Sequence, residues 1–302
     1  MTKPAPVAKG RRRQPVRAAW AASLLALTGC SPAGLLSSFD RFTSGAEARR
    51  VGAGVAFGSD PRQRLDVWAP RKRSTEPLPV VIFFYGGGWN EGSRQDYGFA
   101  GAAYAARGFI AIVPDYRLVP AVRFPAFVED GALAVKWARD NAKRFGGDPG
   151  RITLAGHSSG AYNAAMLALD RRYLERVGVD PKIIRAAALL SGPYDFYPFT
   201  ESRGRNAFGA WKKPLETQPI TFARADAPPL WLAFGTADTV VRPRNAINLA
   251  ARQRALGSRT TMLRHYPGAT HNDLVMALSR PFRARLPVLD ESVAFFRGVV
   301  GN

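Results

Sequence analysis

Short apolar runs alternate with longer helical patterns along most of the chain. Pro79–Tyr85 is a continuous apolar run, which is typical of a strand buried on both faces of a sheet. Arg64–Ala69 alternates between polar and apolar residues, which is typical of a strand with one polar face. Further strands are predicted at Phe109–Val113, Arg151–Ala155, Ile183–Leu190, Leu230–Phe234 and Thr260–Tyr266.

Helical patterns separate these strands. Apolar residues recur at helical spacing within Pro125–Arg144, and two glycines follow at 146 and 147. Further helices are predicted at Ser158–Leu169, Arg244–Leu256 and about Pro287–Val300. This alternation predicts an α/β fold, with a mainly parallel sheet and helices on both of its faces. In such folds ligands bind at the carboxyl ends of the strands, so chemically important residues should directly follow strands.

A candidate nucleophile lies between a predicted strand and a predicted helix. Gly156-His157-Ser158-Ser159-Gly160 fits the pattern G-x-S-x-G, whose serine is held on a sharp strand-to-helix turn. Ser158 is therefore the candidate nucleophile, and the dipole of the following helix favours negative charge at this position. Because adjacent side chains point apart in such a turn, we expect His157 to serve local packing.

A serine nucleophile needs an imidazole base that is itself oriented by a carboxylate. His271 lies in a loop after the last predicted strand, whereas His265 lies within that strand, so His271 is the candidate base. Asp238 follows a predicted strand and gives the chain order serine, aspartate, histidine, so it is the candidate acid. Asp195 is the reserve candidate, and Asp273 is expected at the N-terminus of a helix.

Three consecutive glycines, Gly86-Gly87-Gly88, directly follow the predicted strand Pro79–Tyr85. Backbone amides can approach a tetrahedral oxyanion closely where side chains are absent. The candidate oxyanion donors are therefore Gly87, Gly88 and the amide of Ser159. The chain contains neither G-x-x-x-x-G-K-[ST] nor G-x-G-x-x-G, the patterns of phosphate-binding loops.

Together these motifs resemble the α/β-hydrolase superfamily. The resemblance is carried by Tyr-Gly-Gly-Gly-Trp at 85–89, Asp115-Tyr116-Arg117-Leu118, Phe124-Pro125-Ala126 with Glu129-Asp130, the serine motif, the Asp238 loop and His271. More narrowly, the chain from about residue 50 onward is similar to hormone-sensitive-lipase-like and feruloyl-esterase-like esterases and to the related arylformamidases. This resemblance implies an α/β-hydrolase fold with an eight-stranded, mainly parallel sheet and a short cap insertion. It also implies a serine esterase with a Ser-His-Asp triad and no metal or organic cofactor.

The substrate class follows from the same resemblance and from one aromatic segment. We expect Ser158 to form an acyl-enzyme with small esters that have aryl or short-chain acyl groups. Arylformamidase-like cleavage of C–N bonds and a non-catalytic binding role on the same fold are the alternatives. A cap-like insertion is predicted at about 194–225, where aromatic and basic residues mix and either bind substrate or simply pack. The candidate substrate-binding residues are Tyr85, Trp89, Tyr194 and Phe196.

One departure from the family pattern concerns the residue that precedes the three glycines. The similar esterases usually have a histidine there, which braces the glycine loop and does not react. This chain has Tyr85 instead. We expect its hydroxyl group to brace the loop, and the substitution bears on acyl preference more than on catalysis.

Composition changes the picture at the N-terminus. The chain of 302 residues has 43 Lys and Arg against 23 Asp and Glu, a net charge of +20. Six of the basic residues and no acidic residue precede Cys30, the only cysteine, and a short apolar run ends at Leu27-Thr28-Gly29-Cys30. This arrangement resembles the signal of bacterial lipoproteins, in which the cysteine is lipidated and becomes the new N-terminus. It predicts a signal peptide at 1–29, a tether at 30–50 and a catalytic domain at 51–302.

The predicted anchor also decides how the charge is interpreted. Without residues 1–29 the chain has 37 basic and 23 acidic residues, a net charge of +14. No recognisable nucleic-acid-binding module accompanies this charge, so nucleic acid is excluded as a partner. A lipid anchor at Cys30 would place the protein in the bacterial cell envelope, and Ser31 favours the outer membrane. Ordinary signal-peptide cleavage and an uncleaved anchor are the alternatives.

Overall fold

Within the described part of the chain, eight strands form one continuous sheet. The computed structural model describes residues 1–2 and 47–301, so the predicted signal peptide, Cys30 and most of the predicted tether lie outside the described residues. The strands are β1 (Ala48–Ala56), β2 (Arg64–Pro70), β3 (Leu78–Phe84), β4 (Ile110–Pro114), β5 (Gly147–His157), β6 (Ile184–Leu190), β7 (Leu230–Gly235) and β8 (Thr261–Tyr266).

Helices connect most of these strands. Within residues 47–301 they are α1 (Gly98–Ala106), α2 (Ala126–Asn141), α3 (Ser159–Leu169), α4 (Arg172–Arg176), α5 (Ser202–Phe208), α6 (Arg244–Ala255), α7 (Asp273–Met276) and α8 (Val288–Val300). Short 3-10 helices lie at Ala142–Phe145, Pro181–Ile183, Pro214–Thr217 and Pro219–Phe222. In this described part of the chain, every helix is too short or too polar to cross a lipid bilayer.

The strand order confirms the predicted mainly parallel sheet. The order across the sheet is β1-β2-β4-β3-β5-β6-β7-β8. β2 is antiparallel to both of its neighbours, β1 and β4. All other neighbouring strands are parallel, so the carboxyl ends of β3 to β8 lie along one edge.

Helices cover both faces of this sheet. Successive side chains on a strand point to opposite faces, and β3 shows the result. Phe83 packs against Tyr104 of α1, whereas the next residue, Phe84, lies against Gly131 of α2. Both phenylalanines are fully buried, which explains why this strand is a continuous apolar run.

β1 and α1 are among the elements that differ from the sequence prediction. β1 begins at Ala48, so residues 48–50 belong to the sheet and the predicted tether does not extend to residue 50. The pairing of β1 with β2 is interrupted by two register shifts, and glycines at 52 and 54 break the apolar alternation that marks a strand. α1 was not predicted, because its run of alanine, glycine and aromatic residues is almost entirely buried and has no polar face.

The predicted cap region is held against the sheet domain by hydrogen bonds to its backbone carbonyls. It contains α5 and two of the 3-10 helices. The amide of Phe124 donates to the carbonyl of Ala207 at 2.9 Å, and Arg123 Nε donates to the carbonyl of Asn206 at 3.0 Å. These bonds fix the C-terminal half of α5 beside the loop that precedes α2.

Candidate active site

Ser158 occupies a strained turn between β5 and α3. Its backbone angles are φ 55° and ψ −124°, in the positive-φ region that side chains disfavour. The flanking glycines are required because the turn is crowded. A Cβ atom on Gly160 would lie 2.1 Å from the carbonyl oxygen of Phe84, and one on Gly156 would lie 2.5 Å from the carbonyl oxygen of Gly160. The amide of Ser158 is held by the carbonyl of Leu190 at 2.9 Å.

A continuous line of hydrogen bonds joins the three residues predicted as nucleophile, base and acid. Ser158 Oγ lies 2.9 Å from His271 Nε2, and His271 Nδ1 lies 2.8 Å from Asp238 Oδ2. The carboxylate has no exposed surface and the imidazole is 10% exposed. With its proton on Nδ1, His271 donates to Asp238 and accepts from the hydroxyl of Ser158 through Nε2.

Asp238 is kept ionised by its surroundings. Burial raises the pKa of this carboxyl, but the hydrogen bond and charge of His271, together with two backbone amides, lower it by more. The amides of Val240 and Val241 both donate to the second carboxylate oxygen, at 2.9 and 2.8 Å. The net effect is a pKa below the usual value for an aspartate, so the residue carries its charge beside the imidazole.

His157 also contacts the histidine loop. Its Nε2–H donates to the backbone carbonyl of His271 at 3.0 Å, and the two imidazole rings lie 4.8 Å apart. Burial, followed by the neighbouring His271, lowers the pKa of His157 to about 3, so the ring stays neutral. The sequence suggested only local packing, because nothing in the motif indicates a partner 114 positions away.

The glycine loop after β3 lies against the nucleophile. A Cβ atom on Gly86 would lie 3.2 Å from Ser158 Cβ. Gly87 and Gly88 have φ values of 131° and 57°, and the carbonyl of Gly87 accepts from the amides of Asn90 and Glu91 at 3.1 Å. Within residues 47–301, the amides of Gly87, Gly88 and Ser159 donate to no protein acceptor. These are the three donors predicted for an oxyanion.

Tyr85 supports this loop from below. Its hydroxyl donates to Asp115 Oδ1 at 3.0 Å and accepts from Arg62 Nη2 at 3.1 Å, and the residue is fully buried. Burial, followed by the charge of Asp115, raises the pKa of Tyr85 well above its usual value. This is the bracing arrangement that the sequence suggested. The prediction that Tyr85 binds substrate is wrong, because the side chain has no surface to offer.

The other predicted substrate-binding residues lie in or beside an aromatic cluster. Trp89 is 5% exposed, makes edge contacts with Tyr162 and Phe208, and stacks on the half-buried Phe196. Tyr194 is fully buried, so its predicted contact with substrate is also wrong. Trp89 and Phe196 are therefore the members of the predicted set that retain some accessible surface.

Comparison with known proteins places this arrangement in a family. A family model named BD-FAE matches residues 65–252. The chain belongs to the BD-FAE family. Among curated relatives, it is 33% identical over 236 residues to esterase LipC of Mycobacterium tuberculosis, covering 72% of this chain and 58% of the relative. It is 28% identical over 282 residues to isoprenylcysteine alpha-carbonyl methylesterase ICME of Arabidopsis thaliana, covering 85% and 65%. The chain thus spans less than two thirds of either relative.

Solved structures show that this BD-FAE chain has an α/β-hydrolase fold. A truncated carbohydrate esterase from gut microbiota superposes with a TM-score of 0.70 at 20% identity, covering 84% of this chain and 96% of that one. Esterase 2 of Thermogutta terrifontis with bound butyrate superposes with a TM-score of 0.68 at 23% identity, covering 85% and 95%. At these identities the likeness establishes the fold.

The remaining candidates of the BD-FAE chain lie away from Ser158 or have other partners. Asp195, the reserve acid, accepts from Asn248 Nδ2 at 2.7 Å. Asp273 is the first residue of α7 and accepts from the amide of Thr270 at 2.7 Å, as expected for a helix N-terminal residue. His265 is exposed on β8. In the described part of the chain, no three His, Cys, Asp or Glu side chains come together as metal ligands.

Proposed function

We propose that this BD-FAE protein is a serine carboxylesterase that works through an acyl-enzyme. The observation that carries the proposal is the hydrogen-bonded line from Ser158 Oγ through His271 to the buried carboxylate of Asp238. The similar proteins that are named as esterases support the same reaction class.

The reaction begins when Ser158 Oγ attacks the ester carbonyl carbon. The hydroxyl proton moves to His271 Nε2, which lies 2.9 Å away. The C–O bond to the alcohol then breaks, and the proton passes from His271 to the departing alkoxide. Water subsequently attacks the acyl-enzyme, with His271 again taking the proton, and releases the acid and the free serine.

A buried carboxylate and three backbone amides stabilise the charges that develop during this reaction. The buried carboxylate of Asp238 accepts from His271 Nδ1 and stabilises the imidazolium that forms when Nε2 is protonated. The amides of Gly87, Gly88 and Ser159 supply the oxyanion donors, since the positive φ values of the two glycines set their orientation. Removal of a single such donor typically costs about a hundredfold in kcat or more.

We expect the substrates to be small esters with aryl or short-chain acyl groups. Trp89 directly follows the glycine loop and stacks on the half-buried Phe196, so these rings place aromatic surface beside the proposed oxyanion donors. A panel of 4-nitrophenyl acetate, butyrate and decanoate tests this point, with a feruloyl ester and an N-formyl aryl amide as further members. Preference for the decanoate would contradict the short-chain assignment.

Ser158→Ala tests the mechanism. Hydrolysis of 4-nitrophenyl butyrate should fall by about a thousandfold or more, and labelling by a fluorophosphonate probe should disappear. Circular dichroism should be unchanged, because alanine removes only the hydroxyl group. A variant that keeps wild-type turnover would overturn the assignment of Ser158.

We further propose that Cys30 carries a lipid anchor that holds the protein in the bacterial cell envelope, with the outer membrane favoured. The support is the sequence Leu27-Thr28-Gly29-Cys30 after a basic segment. The net charge of +14 that remains after residue 29 suits a position against an anionic membrane surface. Incorporation of labelled palmitate should occur in the wild type and be lost in Cys30→Ser. Equal labelling of both would contradict the anchor.

A further inference from the structure

A cavity of about 470 Å³ lies directly beside the glycine loop. Three separate parts of the chain form its walls: the glycine loop, the loop after β4, and helix α5. Its lining residues are Gly88, Asn90, Val119, Pro120, Ser202, Arg203 and Asn206. Because Gly88 belongs both to this lining and to the predicted oxyanion donors, a substrate held by its amide would extend into the cavity.

Among the residues that the structure describes, Arg203 is the only charged one in this lining, and it lies against the glycine loop. A Cβ atom on Gly88 would lie 2.8 Å from Arg203 Cδ and 3.2 Å from Nη1. The guanidinium group therefore occupies the space that a side chain at position 88 would fill. The amides of Asn90 and Asn206 and the hydroxyl of Ser202 add hydrogen-bonding groups to the same wall.

Most N–H donors of the Arg203 guanidinium make no hydrogen bond to the described residues. Its one hydrogen-bond partner among the described residues is Glu91, at 3.4 Å, and the two side chains are 56% and 63% exposed. An ion pair this exposed contributes little to stability, so a second carboxylate can compete for the remaining donors. A guanidinium has five N–H donors in a planar fork that matches a carboxylate with two parallel hydrogen bonds.

We propose that this cavity is a subsite for a free carboxylate carried by the ester substrate, with Arg203 as the residue that recognises it. The inference rests on the proposed esterase function and narrows its substrates to esters that bear a second, ionised carboxyl group. That group belongs either to the acyl part, as in a half-ester of a dicarboxylic acid, or to the alcohol part. Glu91 pairs with Arg203 at 3.4 Å and competes with such a substrate for the guanidinium, so it moderates the preference.

Matched pairs of esters distinguish the two positions of the carboxylate. The acyl arm compares 4-nitrophenyl hydrogen adipate with the corresponding neutral adipamide ester. The alcohol arm compares 4-acetoxybenzoate with 4-acetoxybenzamide. In each arm the measured quantity is kcat/KM for the anionic ester divided by kcat/KM for its neutral partner, after subtraction of uncatalysed hydrolysis.

Arg203→Gln should lower this ratio by about tenfold in one of the two arms, as expected for the loss of a charge-assisted hydrogen bond. The arm that responds identifies the part of the ester that enters the cavity. Glu91→Gln should raise the same ratio by about twofold, because it removes the competing carboxylate. Lys212→Gln is the matched control, since Lys212 is an exposed cation of the same insertion that does not line the cavity. It should leave the ratio unchanged.

The outcomes separate this inference from the proposed function. If the wild type hydrolyses the neutral esters and Arg203→Gln leaves both ratios unchanged, or if Lys212→Gln lowers them equally, the carboxylate subsite is wrong and the esterase stands. If no ester is hydrolysed, the proposed function fails. Calorimetric binding of the same pairs to Ser158→Ala then still tests the cavity. Equal affinity for anionic and neutral esters there would overturn the subsite.

Discussion

His157 and Ser158 are adjacent in the chain, yet both hold the same distant residue. Ser158 contacts the ring of His271, and His157 holds its backbone carbonyl. The second contact requires a proton on Nε2, and the ring stays neutral because burial, followed by the nearby His271, lowers the pKa of His157 to about 3. His157 therefore acts as a positioning residue for the proposed base, and its titration links the fold to pH.

The first prediction concerns stability at acidic pH. The pKa of His157 is about 3 in the folded protein against an ordinary value of 6.5, so between these values the unfolded chain binds the extra proton. Stability from this residue is complete above about pH 6.5 and is lost as the pH falls towards 3, by at most about 1.4 kcal/mol per pH unit. His157→Gln keeps an N–H donor but does not titrate, so its loss of stability on acidification should be smaller.

Urea unfolding of wild type and His157→Gln at pH 7, 5.5 and 4.5 measures this difference. Other groups, such as Asp238, titrate in both proteins, so the informative quantity is the gap between the two curves. A gap that does not change with pH would contradict the prediction. His157→Leu, which leaves the carbonyl of His271 without its donor, should lower kcat more than His157→Gln does.

The second prediction concerns the tautomer of His271. In Asp238→Asn the amide group donates to Nδ1, which forces the proton onto Nε2 and prevents it from accepting the proton of Ser158. We expect kcat to fall by about 10³- to 10⁴-fold, with little change in KM. Asp195→Asn is the matched control, because Asp195 instead pairs with Asn248. An equal loss in both variants would show that Asp238 has no special role.

Elements of this protein differ sharply in how closely they approach their neighbours. The start of α3 passes so near β3 that Gly160 has no space for a Cβ atom. Around Gly298, the solvent-facing glycine of α8, no atom beyond the neighbouring helix backbone lies within 4 Å of the position of its Cβ. The first glycine is a requirement of the site, whereas the second only weakens a helix.

The third prediction follows from this contrast. Gly298→Ala should raise the free energy of unfolding by about 0.5 kcal/mol, because alanine loses less conformational freedom in a helix. Gly160→Ala should instead destabilise the protein strongly or abolish activity, since its Cβ would lie 2.1 Å from a backbone oxygen. Chemical denaturation of both variants is the measurement. A destabilising Gly298→Ala would contradict the first half of the prediction.

The elements differed in how well the sequence predicted them, for a physical reason. The central strands β3 to β7 were located to within a few residues, because burial on both faces makes them continuous apolar runs. β1 was missed because it lies at the sheet edge and is stabilised by pairing with β2 despite its glycines. α5 in the cap was missed because its seven residues are too few to show a helical repeat, and only Gly204, Ala207 and Phe208 are buried.

At the scale of the whole molecule, one arginine joins the antiparallel edge of the sheet to the glycine loop. Arg94 pairs with Asp66 of β2 and with Asp115 at the end of β4, and its side chain is only 16% exposed. Asp115 also accepts from the hydroxyl of Tyr85, the brace of the glycine loop. The position of the oxyanion donors therefore depends on strands that contribute no candidate catalytic residue.

The fourth prediction tests this network. Arg94→Met leaves two buried carboxylates without their shared cation and should lower the free energy of unfolding by about 3 kcal/mol. Arg50→Met is the matched control, because Arg50 pairs with the same Asp66 but is 39% exposed, and it should cost less than about 1 kcal/mol. Urea denaturation compares the two. Equal costs would show that burial does not set the strength of this network.

The candidate site was largely predictable at this scale, because parallel strands bring their carboxyl ends to one edge. That rule sufficed to bring Ser158, Asp238 and His271 together, although 113 positions separate the first from the last. The rule does not predict which side chains at this edge are buried and which are exposed. Tyr85 and Tyr194 follow strands as a substrate-binding residue would, but each turns into the interior, and the sequence holds no signal for that rotation.

The two contacts to His271 form a closed ring through consecutive residues of one turn. The position of the base relative to the nucleophile is therefore set by one turn of the chain and not by separate parts of the fold. We therefore expect core substitutions that shift β5 relative to β8 to change the distance between Ser158 Oγ and His271 Nε2 by less than the shift itself, because both contacts hold the histidine loop to the same turn.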